Sequence, residues 1–155
     1  MSGEAPQEPC EGAAGGKGCA RFTYVAGRGV VERLAMDVDG FFRARAVPPR
    51  AAHALALSLE EVVANVVEHT AGGGDGVTVS VRLWREEDRV FAEVRDNARA
   101  FDPLRDAPRR VWEESVERPG GRGLGLELVR RLVEVLTYYR EGGENVLRLE
   151  KHIGG

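Results

Sequence analysis

Val77-Thr78-Val79-Ser80-Val81-Arg82-Leu83, the polar link Arg85-Glu86-Glu87-Asp88, and Val90-Phe91-Ala92-Glu93-Val94-Arg95-Asp96 form the stretch on which the fold class turns. Both runs alternate apolar with polar residues, the period of a half-buried β-strand. Val77, Val79, Val81 and Leu83 share one face against Thr78, Ser80 and Arg82; Val90, Ala92 and Val94 share one against Phe91, Glu93 and Arg95. Two such runs joined by a short charged link predict an antiparallel hairpin with one face on a core. Asp96 keeps the parity of Val90, Ala92 and Val94, so it is expected on the buried side. A carboxylate there needs strong hydrogen-bond donors, and the exocyclic amine of a purine would supply one. The competing reading ends the strand at Arg95 and lets Asp96 open a turn, a position that Asp favours.

Toward the N-terminus, Pro48-Pro49 stop one amphipathic helix, Val30 to about Ala46, and open a second that runs to about Thr70. Gly72-Gly73-Gly74-Asp75-Gly76 closes the second helix as a loop, and Arg21 to Val25 reads as a first strand. Toward the C-terminus, Asn97 to Arg122 is rich in Pro, Arg and Asp without sustained periodicity. A loop of that length in a compact domain commonly covers a ligand. From Leu124 the apolar positions Leu128, Leu132 and Val135 recur at helical spacing. Strands around 137–140 and 145–151, with Gly142-Gly143 at their turn, end the chain. This order predicts an α+β fold, a two-layer α/β sandwich whose mixed, mostly antiparallel sheet is covered by helices on one face.

The chain has 155 residues, 43% hydrophobic and 30% charged, which suits one soluble domain with a core of its own. A net charge of −3 argues against a dedicated nucleic-acid binder. No apolar run nears the roughly 20 residues of a membrane span. No basic start followed by an apolar stretch marks a secretory signal, so a cytoplasmic protein is expected. Residues 1–19, rich in Gly, Ala, Glu and Pro, read as a disordered tail ahead of a domain over 20–155. Cys10 and Cys19 read as exposed thiols of that tail. With His53, His69 and His152 scattered, no zinc site is expected.

Three polar groups carry the chemistry. Gly120-Gly121-Arg122-Gly123-Leu124-Gly125-Leu126 stands at the mouth of a helix, where glycines and the helix N-terminus can hold a phosphate; such turns also occur for structural reasons alone. On the second helix, Leu55, Leu59, Val62, Val63 and Val66 form an apolar arc, with Glu61 and Asn65 one turn apart on its flank and Glu68 behind. Asn offers a neutral oxygen to a hard cation such as Mg²⁺, and Glu can accept a proton from an attacking hydroxyl. Taken alone, this helix is read more simply as a solvated face. Asp96 is the third.

Taken together, Glu61-Val62-Val63-Ala64-Asn65, then Asp96-Asn97-Ala98-Arg99-Ala100-Phe101-Asp102-Pro103, then Gly121-Arg122-Gly123-Leu124-Gly125-Leu126 resemble the N, G1 and G2 boxes of the GHKL ATPases. The branch resembled is the bacterial anti-sigma factor serine/threonine kinases, over roughly residues 20 to 152. The resemblance implies the Bergerat-type sandwich, with ATP and Mg²⁺ between helices and lid. It implies that Asn65 holds Mg²⁺, that Glu61 is the general base on the acceptor hydroxyl, and that Asp96 reads the adenine amine. Gly121, Gly123 and Gly125 would hinge the lid and bring N–H groups to the phosphates, with Arg122 near phosphate charge and Ala98, Phe101 and Leu124 beside the nucleotide.

The implied function is sequestration of an RNA polymerase sigma factor, coupled to phosphorylation of a Ser or Thr on a small STAS-type anti-sigma factor antagonist. A homodimer is implied as well; Phe41 and Phe42 could serve it, although core packing is the simpler reading. One departure stands out. The family carries glycine two residues after the aspartate, and this chain has Ala98, which would be strained by about 1 kcal/mol or more if that position needs positive φ. The alternative function is therefore an adaptor, with or without bound nucleotide, that works by protein contact alone. A fragment of a histidine kinase or gyrase-like ATPase is a weaker rival, for want of a phosphoacceptor hairpin or transducer domain.

Overall fold

Five strands build a single antiparallel sheet in the computed structural model, which describes residues 19–70, 76–106 and 125–154. They are β1 (Cys19–Val25), β2 (Thr78–Glu86), β3 (Arg89–Asp96), β4 (Val135–Glu141) and β5 (Glu144–His152), in the order β1-β2-β3-β5-β4. Four helices accompany them among the described residues: α1 (Val30–Ala44), α2 (Pro49–Thr70), α3 (Pro103–Asp106) and α4 (Gly125–Leu132). Every neighbouring strand pair is antiparallel, so the mixed sheet expected from the sequence is corrected to a wholly antiparallel one. Tight turns explain two of the four pairings. Gly142 and Gly143 both take positive φ, 58° and 80°, which a two-residue hairpin turn requires. That turn folds β5 back between β4 and β3 and sets Asp96 directly opposite Asn145.

The hairpin of β2 and β3 follows the alternation in the sequence. Val79, Val81, Leu83, Val90, Ala92 and Val94 are all buried on the helix side, and Asp96 joins them at 7% exposure. They meet Leu55, Leu59, Val62 and Val63 from α2 and Val30, Leu34, Val38, Phe41 and Phe42 from α1. Phe41 and Phe42 meet edge to face at 5.8 Å inside this core, which leaves neither for a dimer surface. Each fully buried aliphatic or aromatic side chain of this kind stabilises the fold by about 1.5–3 kcal/mol before entropy is counted. Tyr24 of β1 ties the layers together by donating to Asp37 Oδ2 of α1 at 2.6 Å. Burial first, and the Asp37 carboxylate second, raise its phenol above the ordinary tyrosine value.

Three expectations change. Phe91 and Glu93, read as the polar side of their strand, are buried as well. Trp84 stacks on Phe91 at 5.1 Å, Arg148 from β5 lies over both rings, and Arg82 and Arg95 pair with Glu93. A central strand flanked by large side chains on both sides is covered on its outer face too. In α4 the buried residues are Leu126 and Val129, followed by Val133, whereas Leu128 and Leu132 are half-buried and Val135 opens β4. The helix is only eight residues long, so the expected stripe outran it. Cys19 is not an exposed tail thiol: it opens β1 opposite Trp84 and is disulfide-bonded. Residues 1–18, including Cys10, lie outside the described residues.

Candidate functional site

Between the C-terminal half of α2, the end of β3 and the segment after it lies a cleft walled by apolar side chains. Val62 and Val66 of α2, Val94 of β3, Leu147 of β5 and Leu126 of α4 form its greasy surfaces. Such a slot accepts a flat aromatic ring, and a few placed polar groups then fix the ring's orientation. The polar side chains of the lining are Asn65, His69, Asp96, Arg99, Tyr138 and Asn145.

Asp96 points inward because β3 continues its alternation through residue 96, so the strand reading prevails over the turn reading. Its Oδ1 accepts the Ala98 N–H at 3.1 Å and the Asn145 Nδ2–H at 2.9 Å. Its Oδ2 takes no hydrogen bond from a described residue, and the side chain lines the cleft. A buried carboxylate with one oxygen satisfied is an acceptor prepared for a donor in the slot.

The segment after β3 is pinned at both ends. Asn97 Oδ1 accepts the Thr78 N–H at 2.8 Å, which fixes the exit from the strand. Asp102 Oδ1 accepts the Leu104 N–H at 2.9 Å and so caps α3, with Pro103 as its first residue. Between them Phe101 packs against His69 with ring centroids 4.0 Å apart, closing one side of the cleft. The strain feared at Ala98 is absent. The non-glycine residues with positive φ among those described are Ala46 and Glu87, and Ala98 is not one of them.

Asn65, Asp96, Ala98 and Phe101 are thus brought to one cleft. Glu61 stands one turn before Asn65 on α2, half-buried, and is not among the residues lining the cleft. Its neighbour Glu60 has a carboxyl raised above the ordinary value by burial, an effect that His53 opposes. Gly125 is the first residue of α4, with φ 47°. Gly121, Arg122, Gly123 and Leu124 lie outside the described residues.

The sequence reading missed three cleft residues. His69 packs its ring on Phe101 at the cleft. Tyr138 and Asn145 come from β4 and β5, and Asn145 has the parity of the buried Leu147 and Leu149. The parity argument used for Asp96 would have found it.

No three His, Cys, Asp or Glu side chains cluster among the described residues. A divalent cation beside Asn65 would therefore take most of its ligands from phosphate and water, which is how Mg²⁺ is commonly held. The donor set fits that ion.

The family described as histidine kinase-like ATPase domain matches residues 28–151. The chain is similar to the serine/threonine-protein kinase BtrW of Bordetella bronchiseptica, with 30% identity over 99 residues, covering 63% of this chain and 68% of that protein. Its fold is similar to the RsbU and RsbW domains of Rv1364c from Mycobacterium tuberculosis, with TM-score 0.62 and 13% identity over 90% of this chain. The match spans 33% of that longer chain. It is also similar to a chain of the SiaB–SiaC complex from Pseudomonas aeruginosa, with TM-score 0.56 and 16% identity, covering 84% of this chain and 88% of that one. At these identities the two structures speak for the α+β sandwich and not for activity.

Proposed function

Because this chain belongs to the histidine kinase-like ATPase domain family, we propose that it binds ATP with Mg²⁺ in the cleft and phosphorylates a Ser or Thr of a small antagonist protein. In this reading it is the switching component of a partner-switching system: it holds a sigma factor, and phosphorylation of a STAS-type antagonist decides whether the sigma factor is held or released. The observation that carries the reading is Asp96, buried at the cleft with Oδ1 filled and Oδ2 left open to a donor. The relative named as a serine/threonine-protein kinase supports the reaction class. The SiaB–SiaC complex offers a precedent for a protein of this fold working through a protein partner.

Each residue has a task that follows from its position. The valine and leucine walls hold the base and exclude water from it. Asp96 Oδ2 accepts from the adenine amine, which orients the nucleotide and sends its phosphates toward the N-terminus of α4. Asn65 presents its carboxamide oxygen to the cation, which when bound neutralises phosphate charge. Glu61, one turn away, takes the proton of the acceptor hydroxyl as its oxygen bonds to the γ-phosphorus, while the bond from that phosphorus to the bridging oxygen breaks and ADP leaves. Gly121, Gly123 and Gly125 would supply backbone N–H groups to the phosphates and Arg122 charge, with Leu124 in the same run of sequence. Positioning and charge neutralisation are the main demands of phosphoryl transfer, and these side chains meet them.

The adaptor reading rested on strain at Ala98, and the backbone there gives it no support. Glu61→Gln separates the two functions. It should retain ATP within about threefold of the parent affinity and lose phosphate transfer to the antagonist by about 10²-fold or more. Transfer at the parent rate would remove Glu61 from the chemistry, and absence of transfer by the parent protein to a panel of STAS-type antagonists would favour the adaptor.

A further inference from the structure

Asn145 makes more hydrogen bonds than any other side chain at the cleft. Its Nδ2 donates to Asp96 Oδ1 at 2.9 Å and to the Arg99 carbonyl at 2.9 Å. Its Oδ1 accepts from the Phe101 N–H at 3.1 Å, the Tyr138 hydroxyl at 2.6 Å and an Arg140 guanidinium nitrogen at 3.0 Å. The orientation of its amide follows, since a flipped group would aim its N–H bonds at the obligate donors Phe101 N–H and Arg140, and its oxygen at two acceptors. Arg140 also donates to the Ala98 carbonyl at 3.2 Å, so the same cluster clasps the loop from Asp96 to Phe101 at several backbone groups. At 6% exposure Asn145 is buried, and the register places it directly across from Asp96.

The consequence concerns Asp96. A carboxylate oxygen has two lone pairs in its plane. On Oδ1 one is taken by the Ala98 N–H and the other by Asn145 Nδ2. With both in-plane positions of Oδ1 engaged, Oδ2 is the better-placed acceptor for a base. Adenine presents a single exocyclic amine along its six-membered edge, which one oxygen can satisfy. Guanine presents N1–H and the 2-amine side by side, a pair that matches both oxygens of a free carboxylate, and it places a carbonyl where adenine has its amine. A carboxylate with one oxygen occupied suits the first base and not the second.

We infer that Asn145 is the specificity-determining residue of this cleft: by filling the last lone pair of Asp96 Oδ1 it restricts the site to adenine nucleotides and rejects guanine nucleotides. The inference rests on the reading of Asp96 as the base acceptor. Both polar atoms of the Asn145 amide are engaged within the protein, so it acts through Asp96 as a positioning residue.

The test is a set of affinities for ATP, GTP and purine riboside triphosphate, which lacks the amine, measured on the full chain and on Asn145→Ala. The parent chain should hold ATP at least about tenfold more tightly than either of the others, the scale of one hydrogen bond to a charged acceptor. Asn145→Ala should narrow the gap between ATP and GTP by about tenfold. A merely structural loss weakens both nucleotides by one factor, because the folded fraction cancels in their ratio. Asn145→Ser, too short to reach Asp96, should behave as Asn145→Ala does and serves if the alanine variant does not fold. Equal binding of ATP and purine riboside triphosphate would overturn the role of Asp96 and this inference with it. A preference for ATP over purine riboside triphosphate, with the ATP to GTP ratio unchanged in both variants, would overturn the role of Asn145 alone. GTP held by the parent as tightly as ATP would do the same without any variant.

Discussion

Replacing Asp96 by Asn removes one negative charge and changes one atom, and the structure fixes which way the new amide must lie. Ala98 N–H and Asn145 Nδ2–H both donate to Oδ1, so in Asp96→Asn the carbonyl oxygen takes that place and the amide nitrogen stands where Oδ2 was. The nitrogen then meets the adenine amine donor to donor. The loss is one hydrogen bond to a charged acceptor, about 1.5–3 kcal/mol, plus about 1–3 kcal/mol for a donor left without a partner. A total of about 2.5–6 kcal/mol corresponds to roughly 10²–10⁴-fold weaker ATP binding. The fold should survive, because both bonds to the inner oxygen persist in neutral form and stability drops by only about 1 kcal/mol. Calorimetric titration with a non-hydrolysable ATP analogue reads the affinity, and thermal unfolding of the same sample reads the stability. An affinity within threefold of the parent, in a variant with unchanged unfolding, would refute the assignment of Asp96 to the base.

Leu59 is fully buried beneath the sheet, so Leu59→Ala should lose about 2–5 kcal/mol in urea unfolding; a loss under 1 kcal/mol would contradict the core described here. Ala98→Gly should lower stability by about 0.5–1 kcal/mol and leave ATP affinity unchanged, since Ala98 has no positive φ to relieve. A tenfold gain in affinity would show that the alanine strains the loop. Burial works to raise the Glu134 carboxyl, but the His152 N–H at 2.9 Å and Lys151 at 3.3 Å outweigh it and hold it below the ordinary value. A lowered acid stabilises the fold above its unfolded-state pKa and stops doing so as pH falls through its folded-state pKa. Glu134→Gln should therefore be less stable than the parent at pH 7 by a fraction of a kcal/mol, given that the side chain is 42% exposed, and the difference should vanish as pH falls through the lowered folded-state pKa. A difference that persists at pH 2.5 would contradict the sign.

The elements most legible in the sequence were those whose periodicity is local. The β2–β3 hairpin and the limits of α1 and α2 follow from alternation, helical arcs and the Pro48-Pro49 break, none of which needs knowledge of the rest of the chain. Asp96 was legible for the same reason, since its inward direction depends only on its parity with Val90, Ala92 and Val94. Strand order was not legible, because the placement of β5 between β3 and β4 is a long-range pairing that no window of residues encodes. The burial of Phe91 and Glu93 escaped for a related reason: the side chains that cover them, Trp84 and Arg148, come from neighbouring strands. Asn145 shows a different limit. Its parity was readable, but its importance comes from facing Asp96 across the sheet, which only the register reveals. Glu61, Asn65 and the glycine run stood out from the helix flank and the glycine spacing, and the family resemblance gave them their joint roles. The cleft gathers Asn65 but not Glu61 into its lining.

The most direct measurement is a calorimetric titration of ATP analogue into the full chain and into Asn65→Ala, each with and without Mg²⁺. Binding that strengthens with Mg²⁺ in the parent and loses that dependence in Asn65→Ala is the result expected of an ATP site with its cation held beside α2. No binding by the parent at millimolar nucleotide, with Mg²⁺ present, would contradict it.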